Sequence, residues 1–186
     1  MEKLIGIIDC GTLWLKEIEK NLTKLDKSFK VIKLANIKKC DFGKFSGIII
    51  SGAPILLTKA KTQKYVELFK FIKIVKVPVL GICFGHQIMG LVYGAKIDIG
   101  KKINKKEQIE ITKREKLFWG VKDKNLFREN HCEFITLPNN FFLLAKSKSC
   151  CNEAMKHKKK KLYGIQFHPE MSGDSGEKLL KNFIEQ

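Results

Sequence analysis

The chain has 186 residues, 44% hydrophobic and 30% charged, which is enough for one well-buried core and too little for two full-sized domains. That apolar content excludes a disordered chain. No uncharged apolar run of about 18 residues occurs, so no transmembrane helix is expected. The formal charge of +17 comes almost wholly from lysine, with arginine only at Arg114 and Arg128. It therefore reads as a solvated lysine-rich surface, since nucleic-acid faces favour arginine forks.

In chain order, residues 4–9 read as a short buried strand and 13–25 as a helix with apolar residues at 14, 15, 18, 22 and 25. Residues 29–34 and 47–50 predict two more strands, the latter broken by Ser51-Gly52-Ala53-Pro54. Residues 65–75 carry helical periodicity, 77–82 predict a fourth strand, and a helix begins at Phe84. Continuous apolar strands alternating with helices predict an α/β fold with a mixed, mostly parallel sheet flanked by helices. Farther on, 97–111 and 133–144 look like shorter strands and hairpins. Residues 162–167 predict a core strand and 176–184 a closing amphipathic helix, while the lysine run at 156–161 reads as a surface turn. The opening Met1-Glu2-Lys3-Leu4-Ile5-Gly6 lacks the features of a signal peptide, so a cytoplasmic protein is expected. The six cysteines form no Cys-x-x-Cys pair, so neither a zinc site nor a disulfide framework is expected. Neighbouring Cys150 and Cys151 read as packing residues.

One cysteine stands apart. Gly81-Ile82-Cys83-Phe84-Gly85 places Cys83 between a buried strand and a helix, with a glycine two residues to either side. Small neighbours permit the sharp turn of a nucleophile elbow, and the helix N-terminus favours thiolate. The backbone N–H of Phe84 would point where an oxyanion forms. The same glycine-rich turn could equally hold a buried, inert cysteine. A nucleophilic cysteine wants a base and an orienting acceptor. His86 follows the elbow on its helix and is expected to point away, and His157 sits by the lysine run and is expected to be solvated. His168 closes an apolar strand, where parallel-sheet sites collect. Glu170 lies two residues beyond, within reach of its imidazole. The two motifs together point to a Cys83-His168-Glu170 triad.

Gly81-Ile82-Cys83-Phe84-Gly85-His86-Gln87 with Gln166-Phe167-His168-Pro169-Glu170 resembles the class I glutamine amidotransferase family, over essentially the whole chain, as one domain spanning 1–186 with a flavodoxin-like sheet. Ser51-Gly52-Ala53-Pro54 resembles that family's oxyanion loop. Asn130-His131-Cys132-Glu133 and Cys151-Asn152-Glu153-Ala154-Met155-Lys156-His157 look most like the glutaminase subunits of two-subunit, archaeal-type GMP synthases. The resemblance implies hydrolysis of glutamine to glutamate and ammonia. Cys83 would be nucleophile, His168 base and acid, and Glu170 its orienter. The N–H groups of Ala53 and Phe84 would form the oxyanion hole. Gly52, Gln87, Asn130, His131 and Cys132 would hold the substrate. Ala53 replaces a glycine, which would add strain if the loop needs positive φ. No metal or cofactor is implied in this chain. ATP and magnesium are expected on a separate synthetase subunit of the ATP-pyrophosphatase type, which would take the ammonia to convert XMP to GMP; neither nucleic acid nor membrane is an expected partner. A paralogue or γ-glutamyl hydrolase of another pathway, or a catalytically quiet regulatory subunit binding an acidic partner, stands as an alternative.

Overall fold

The computed structural model describes residues 4–122 and 125–186; the first three residues of the opening segment read for a leader lie outside the described residues. The apolar runs do form a parallel sheet. Strands β1 (Leu4–Asp9), β2 (Phe29–Lys33) and β3 (Phe45–Ile50) pair in parallel about β1, and β4 (Val79–Ile82) pairs in parallel with β3. Strand β10 (Leu162–Ile165) adds to β4, again in parallel. Beyond it the sheet continues antiparallel through β9 (Ala154–His157), β8 (Phe141–Lys146) and β6 (Glu110–Ile111), giving the order β2-β1-β3-β4-β10-β9-β8-β6. A separate ribbon pairs β5 (Ile97–Gln108) with β7 (Leu126–Ile135).

Strand alternation divides the buried residues between two faces. Ile5, Ile7, Ile49 and Ile82 pack with helices α1 (Leu15–Lys24) and α4 (Gly173–Ile184). Ile8, Ile48, Ile50 and Val79 pack with α2 (Thr62–Phe69) and α3 (Phe84–Val92). Burial on both faces is why these strands read as unbroken apolar runs rather than alternating ones.

Several expectations are corrected. The helix read at 65–75 ends at Phe69 and tightens into a 3₁₀ turn, Lys70–Lys73. Residues 156–161 do not begin as a surface turn, because Lys156 and His157 end β9, between β8 and β10. His157 is therefore not solvated. It is buried, with its ring edge-on to Tyr93 and Phe141, and its Nδ1 accepts from the backbone N–H groups of Lys159 and Lys160. Cys150 is buried as expected, but Cys151 is exposed rather than a packing residue.

The glycines of the elbow are sterically compelled. A Cβ on Gly81 would lie 2.4 Å from the backbone of Gly85, and one on Gly85 would lie 2.4 Å from the Ile50 carbonyl oxygen. Backbone cannot yield as a flexible side chain does. Gly85→Ala is therefore expected to lower unfolding free energy by about 1–3 kcal/mol, the usual cost of overpacking, measured by denaturant melts. An unchanged midpoint would show that the strand and helix are not held this closely.

Candidate active site

Four parallel strands deliver their following loops to one edge of the sheet, at the carboxyl ends where α/β ligand sites form. β1 leads to Thr12, Leu13 and Trp14, β3 to Gly52, Ala53 and Pro54, β4 to Cys83, and β10 to His168. All of these except Gly52 line a small cavity together with Asn130, with Cys83 and His168 both in its wall. A point beside Gly52, where a Cβ would stand, lies 3.2 Å from His168 Cε1 and 3.7 Å from Cys83 Cβ. Residues 85 positions apart in sequence thus meet at one place. A second, larger cavity of about 370 Å³ shares Cys83 and Asn130 with the first and is walled also by Leu56, Gln87, Lys102 and Cys132, among others.

Cys83 adopts φ 50° and ψ −101°, and only Asp26 shares a positive φ among the described non-glycine residues. Such a conformation costs about 1–3 kcal/mol and persists where the surroundings enforce it. Here the clamp is Cys83 N–H donating to the Ile165 carbonyl at 2.8 Å, while its own carbonyl accepts from Gln87 N–H at 3.0 Å. Phe84 opens α3, so its N–H has no partner within the helix. Ala53 does not have positive φ, so the strain considered for this alanine does not arise and its N–H remains a donor.

His168 is buried. Its Nδ1 lies 2.8 Å from Glu170 Oε1, and the ring also interacts with the Cys83 side chain. Burial alone would depress this imidazole, but the Glu170 carboxylate and the Cys83 sulfur outweigh it, and the ring is pushed up to about 10. Its backbone is fixed too. His168 N–H donates to the Arg128 carbonyl, and Ser172 Oγ donates to the His168 carbonyl at 2.6 Å. Trp14 stands edge-on to the imidazole with ring centroids 4.4 Å apart. Behind lies the buried Glu129, whose carboxyl is raised by burial to about 8 against the opposing His168 charge.

The residues expected to hold substrate divide. Asn130 and Cys132 are half-buried and face the cavities, and the Asn130 carbonyl is 4.0 Å from Cys83 Sγ. Gln87 lines the larger cavity but is already engaged. Its Nε2 donates to the Glu133 carbonyl at 3.0 Å and to Gln166 Oε1 at 3.2 Å, and Gln166 Nε2 donates in turn to Cys83 Sγ at 3.5 Å. His131 also lines the larger cavity, but its side chain alternates to the inner side of β7, with the imidazole 3.1 Å from Glu129 Oε2. His86 packs against Gly164, and burial lowers its pKa to about 3, so it stays neutral and outside the cavity wall.

Two further residues, neither given a role from the sequence, carry the site. Trp14 is one. Glu133 is the other, because its carboxylate accepts from Leu57 N–H at 2.8 Å, Thr58 N–H at 2.7 Å and Thr58 Oγ1 at 2.6 Å. It thereby pins the loop that carries Ala53. Charge-assisted bonds of this kind each contribute about 1.5–3 kcal/mol. Glu133→Ala is expected to loosen that loop and cut kcat/KM for glutamine more than tenfold, by a misplaced oxyanion donor. Unchanged steady-state kinetics would remove Glu133 from the site.

The class I glutamine amidotransferase family model matches residues 6–186. The chain is 36% identical to a protein of Pyrococcus abyssi named as a glutamine-hydrolyzing GMP synthase subunit, covering 97% of this chain and 96% of that one. It is 34% identical to the protein of the same name from Methanocaldococcus jannaschii, over 97% and 95%. A crystal structure from Thermoplasma acidophilum, described as that same subunit of GMP synthase, superposes with a TM-score of 0.89 at 28% identity, covering 100% of this chain and 94% of that one. A glutamine amidotransferase from Thermotoga maritima shares the fold at a TM-score of 0.77 and 21% identity, over 100% and 82%.

Proposed function

Because the chain belongs to the class I glutamine amidotransferase family, we propose that it hydrolyses glutamine with Cys83, His168 and Glu170 and passes the ammonia to a separate synthetase subunit. The observation that supports this most is the meeting of Cys83 and the His168–Glu170 pair around one cavity at the carboxyl edge of the sheet.

In this reading glutamine enters the larger cavity with its side-chain amide at Cys83. His168 Nε2 takes the thiol proton, and Sγ attacks the amide carbon. The negative oxygen that forms is held by the N–H groups of Ala53 and Phe84, each such donor lowering the barrier by about 3 kcal/mol. Collapse of the tetrahedral adduct breaks the C–N bond. The proton on His168 goes to the leaving nitrogen, and ammonia departs, leaving a thioester. His168 then takes a proton from water, whose oxygen attacks the thioester carbon. Glutamate leaves as that proton returns to Cys83. Glu170 holds the tautomer that keeps Nε2 facing the sulfur. Each step moves protons between groups of this chain, the substrate and water, so this half-reaction calls for no metal or cofactor. ATP and magnesium would belong to the partner, whose ammonia acceptor is taken to be XMP because the relatives are named as GMP synthase subunits and that product requires an amino group.

The test is ammonia release from glutamine and from γ-glutamyl peptides, with and without the partner subunit, followed by assay of the complex with XMP and ATP. Glutamine is expected to be preferred, the partner to raise the rate, and GMP to form. Preference for peptides, or a rate indifferent to the partner, would contradict the proposal.

A further inference from the structure

Below the catalytic layer lies a polar cluster that the glutaminase chemistry does not use. Glu129 and His131 project from the same inner side of β7, and Glu153 immediately precedes β9. Glu129 and Glu153 are fully buried and the His131 side chain is 1% exposed. One donor atom from each lies within 4.8 Å of the others, and His131 Nε2 is 3.1 Å from Glu129 Oε2. Among the described residues no other group of histidines, cysteines and carboxylates gathers in this way.

The cluster is closed on itself. Both oxygens of Glu129 and Oε2 of Glu153 are buried and face only each other and His131, whose ring also lies against the Glu133 backbone. The other oxygen of Glu153 is taken, because Oε1 accepts from Ser147 Oγ at 2.6 Å, which fixes how the carboxylate presents Oε2. The nearby Glu107 is already satisfied. It accepts from Ser149 Oγ and lies 3.6 Å from the Lys105 ammonium. Two carboxylates withdrawn from water and, among the described residues, paired with no lysine or arginine are costly unless another cation compensates them.

We propose that Glu129, His131 and Glu153 bind a divalent transition-metal ion of the zinc class. One imidazole nitrogen and two carboxylate oxygens are a donor set that zinc accepts, with bonds of about 2.0–2.2 Å. Tetrahedral donors at that bond length stand about 3.3 Å apart, so the 3.1 Å pair needs little movement. Ser147 supplies the outer hydrogen bond that orients a ligating carboxylate. The ion joins two sheets that share no strand pairing, because β7 belongs to the ribbon and Glu153 leads into the main sheet. It would staple them directly behind His168.

The test strips the full chain with a chelator, reloads it with zinc alone, removes free metal by gel filtration and counts zinc per chain by mass spectrometry. One equivalent is expected, with a melting temperature that rises with zinc concentration. Glu129→Gln and Glu153→Gln keep shape and lose charge, and circular dichroism verifies their folding. Each is expected to weaken zinc binding by more than about tenfold, the smallest loss seen even for groups that only support a ligand. X-ray absorption at the zinc edge reads the ligands independently of any variant. A shell of nitrogen and oxygen at about 2.0–2.2 Å supports the site, and a sulfur at about 2.3 Å would place the ion on a cysteine and overturn it. No retained zinc, or equal retention by the Glu129→Gln/Glu153→Gln double variant, would also overturn it and leave protons as the compensating cation.

Discussion

Cys83→Ser is expected to lower glutamine hydrolysis by at least about 10⁴-fold while leaving the fold intact. The substitution is nearly isosteric, and the strained backbone at φ 50° is held by Ile165 and Gln87 rather than by the sulfur, so the melting temperature should move little. The chemistry changes far more. A serine hydroxyl at this position lacks the acidity and polarisability of a thiol. His168 can draw a proton from that hydroxyl only at a much higher cost, because an alcohol is far less acidic than a thiol. Loss of a nucleophile in comparable triads removes all but the contribution of the oxyanion donors and binding, about 10³–10⁴ over water. Ammonia release measured with an enzyme-coupled assay reads this directly. Activity within about tenfold of the parent would mean that Cys83 forms no bond to the substrate.

Glu170→Gln is expected to cost about 10²–10⁴-fold in kcat/KM and to move the alkaline limb of the pH profile to lower pH. The sign follows from the balance at His168. Burial depresses the imidazole, and the Glu170 carboxylate and Cys83 sulfur together raise it to about 10. Removing the Glu170 charge takes away one of the two raising influences, so the folded-state pKa falls. The protonated imidazole that must deliver its proton to the leaving nitrogen then survives only to a lower pH. Glutamine can also donate to Nδ1, which selects the tautomer with its proton on Nε2 and prevents that nitrogen from accepting one. A kcat/KM profile whose alkaline limb stays in place would show that Glu170 does not set the charge of His168.

What the sequence made legible follows from the range of the forces involved. The parallel strands and the elbow are local patterns, because apolar runs mark strands buried on both faces and glycines mark turns that admit no Cβ. Gly81 and Gly85 could be read for that reason, and their contacts with neighbouring backbone are the physical content of the motif. His168 and Glu170 are two residues apart, so their pairing was local as well. Strand β9 was not legible. Its Lys156 and His157 run into four lysines and look solvated, but register against β8 and β10 buries the histidine among aromatic rings, a tertiary effect that overrides local composition. The role of Glu133, visible only as part of a motif, and the presence of Trp14 were not legible for a related reason, because one reaches 76 residues back to Leu57 and the other touches a ring 154 positions away. The inward turn of His131 depends on which face β7 presents, and that is set by pairing with β5 rather than by its neighbours in sequence.

The most direct test of the Cys83–His168 assignment is covalent labelling with a diazoketone analogue of glutamine, in the presence of the partner subunit, followed by peptide mass spectrometry. One adduct is expected, on Cys83, formed slowly or not at all in His168→Ala and blocked by excess glutamine. An adduct on any of the other five cysteines instead, or none on Cys83 under any condition, would contradict it.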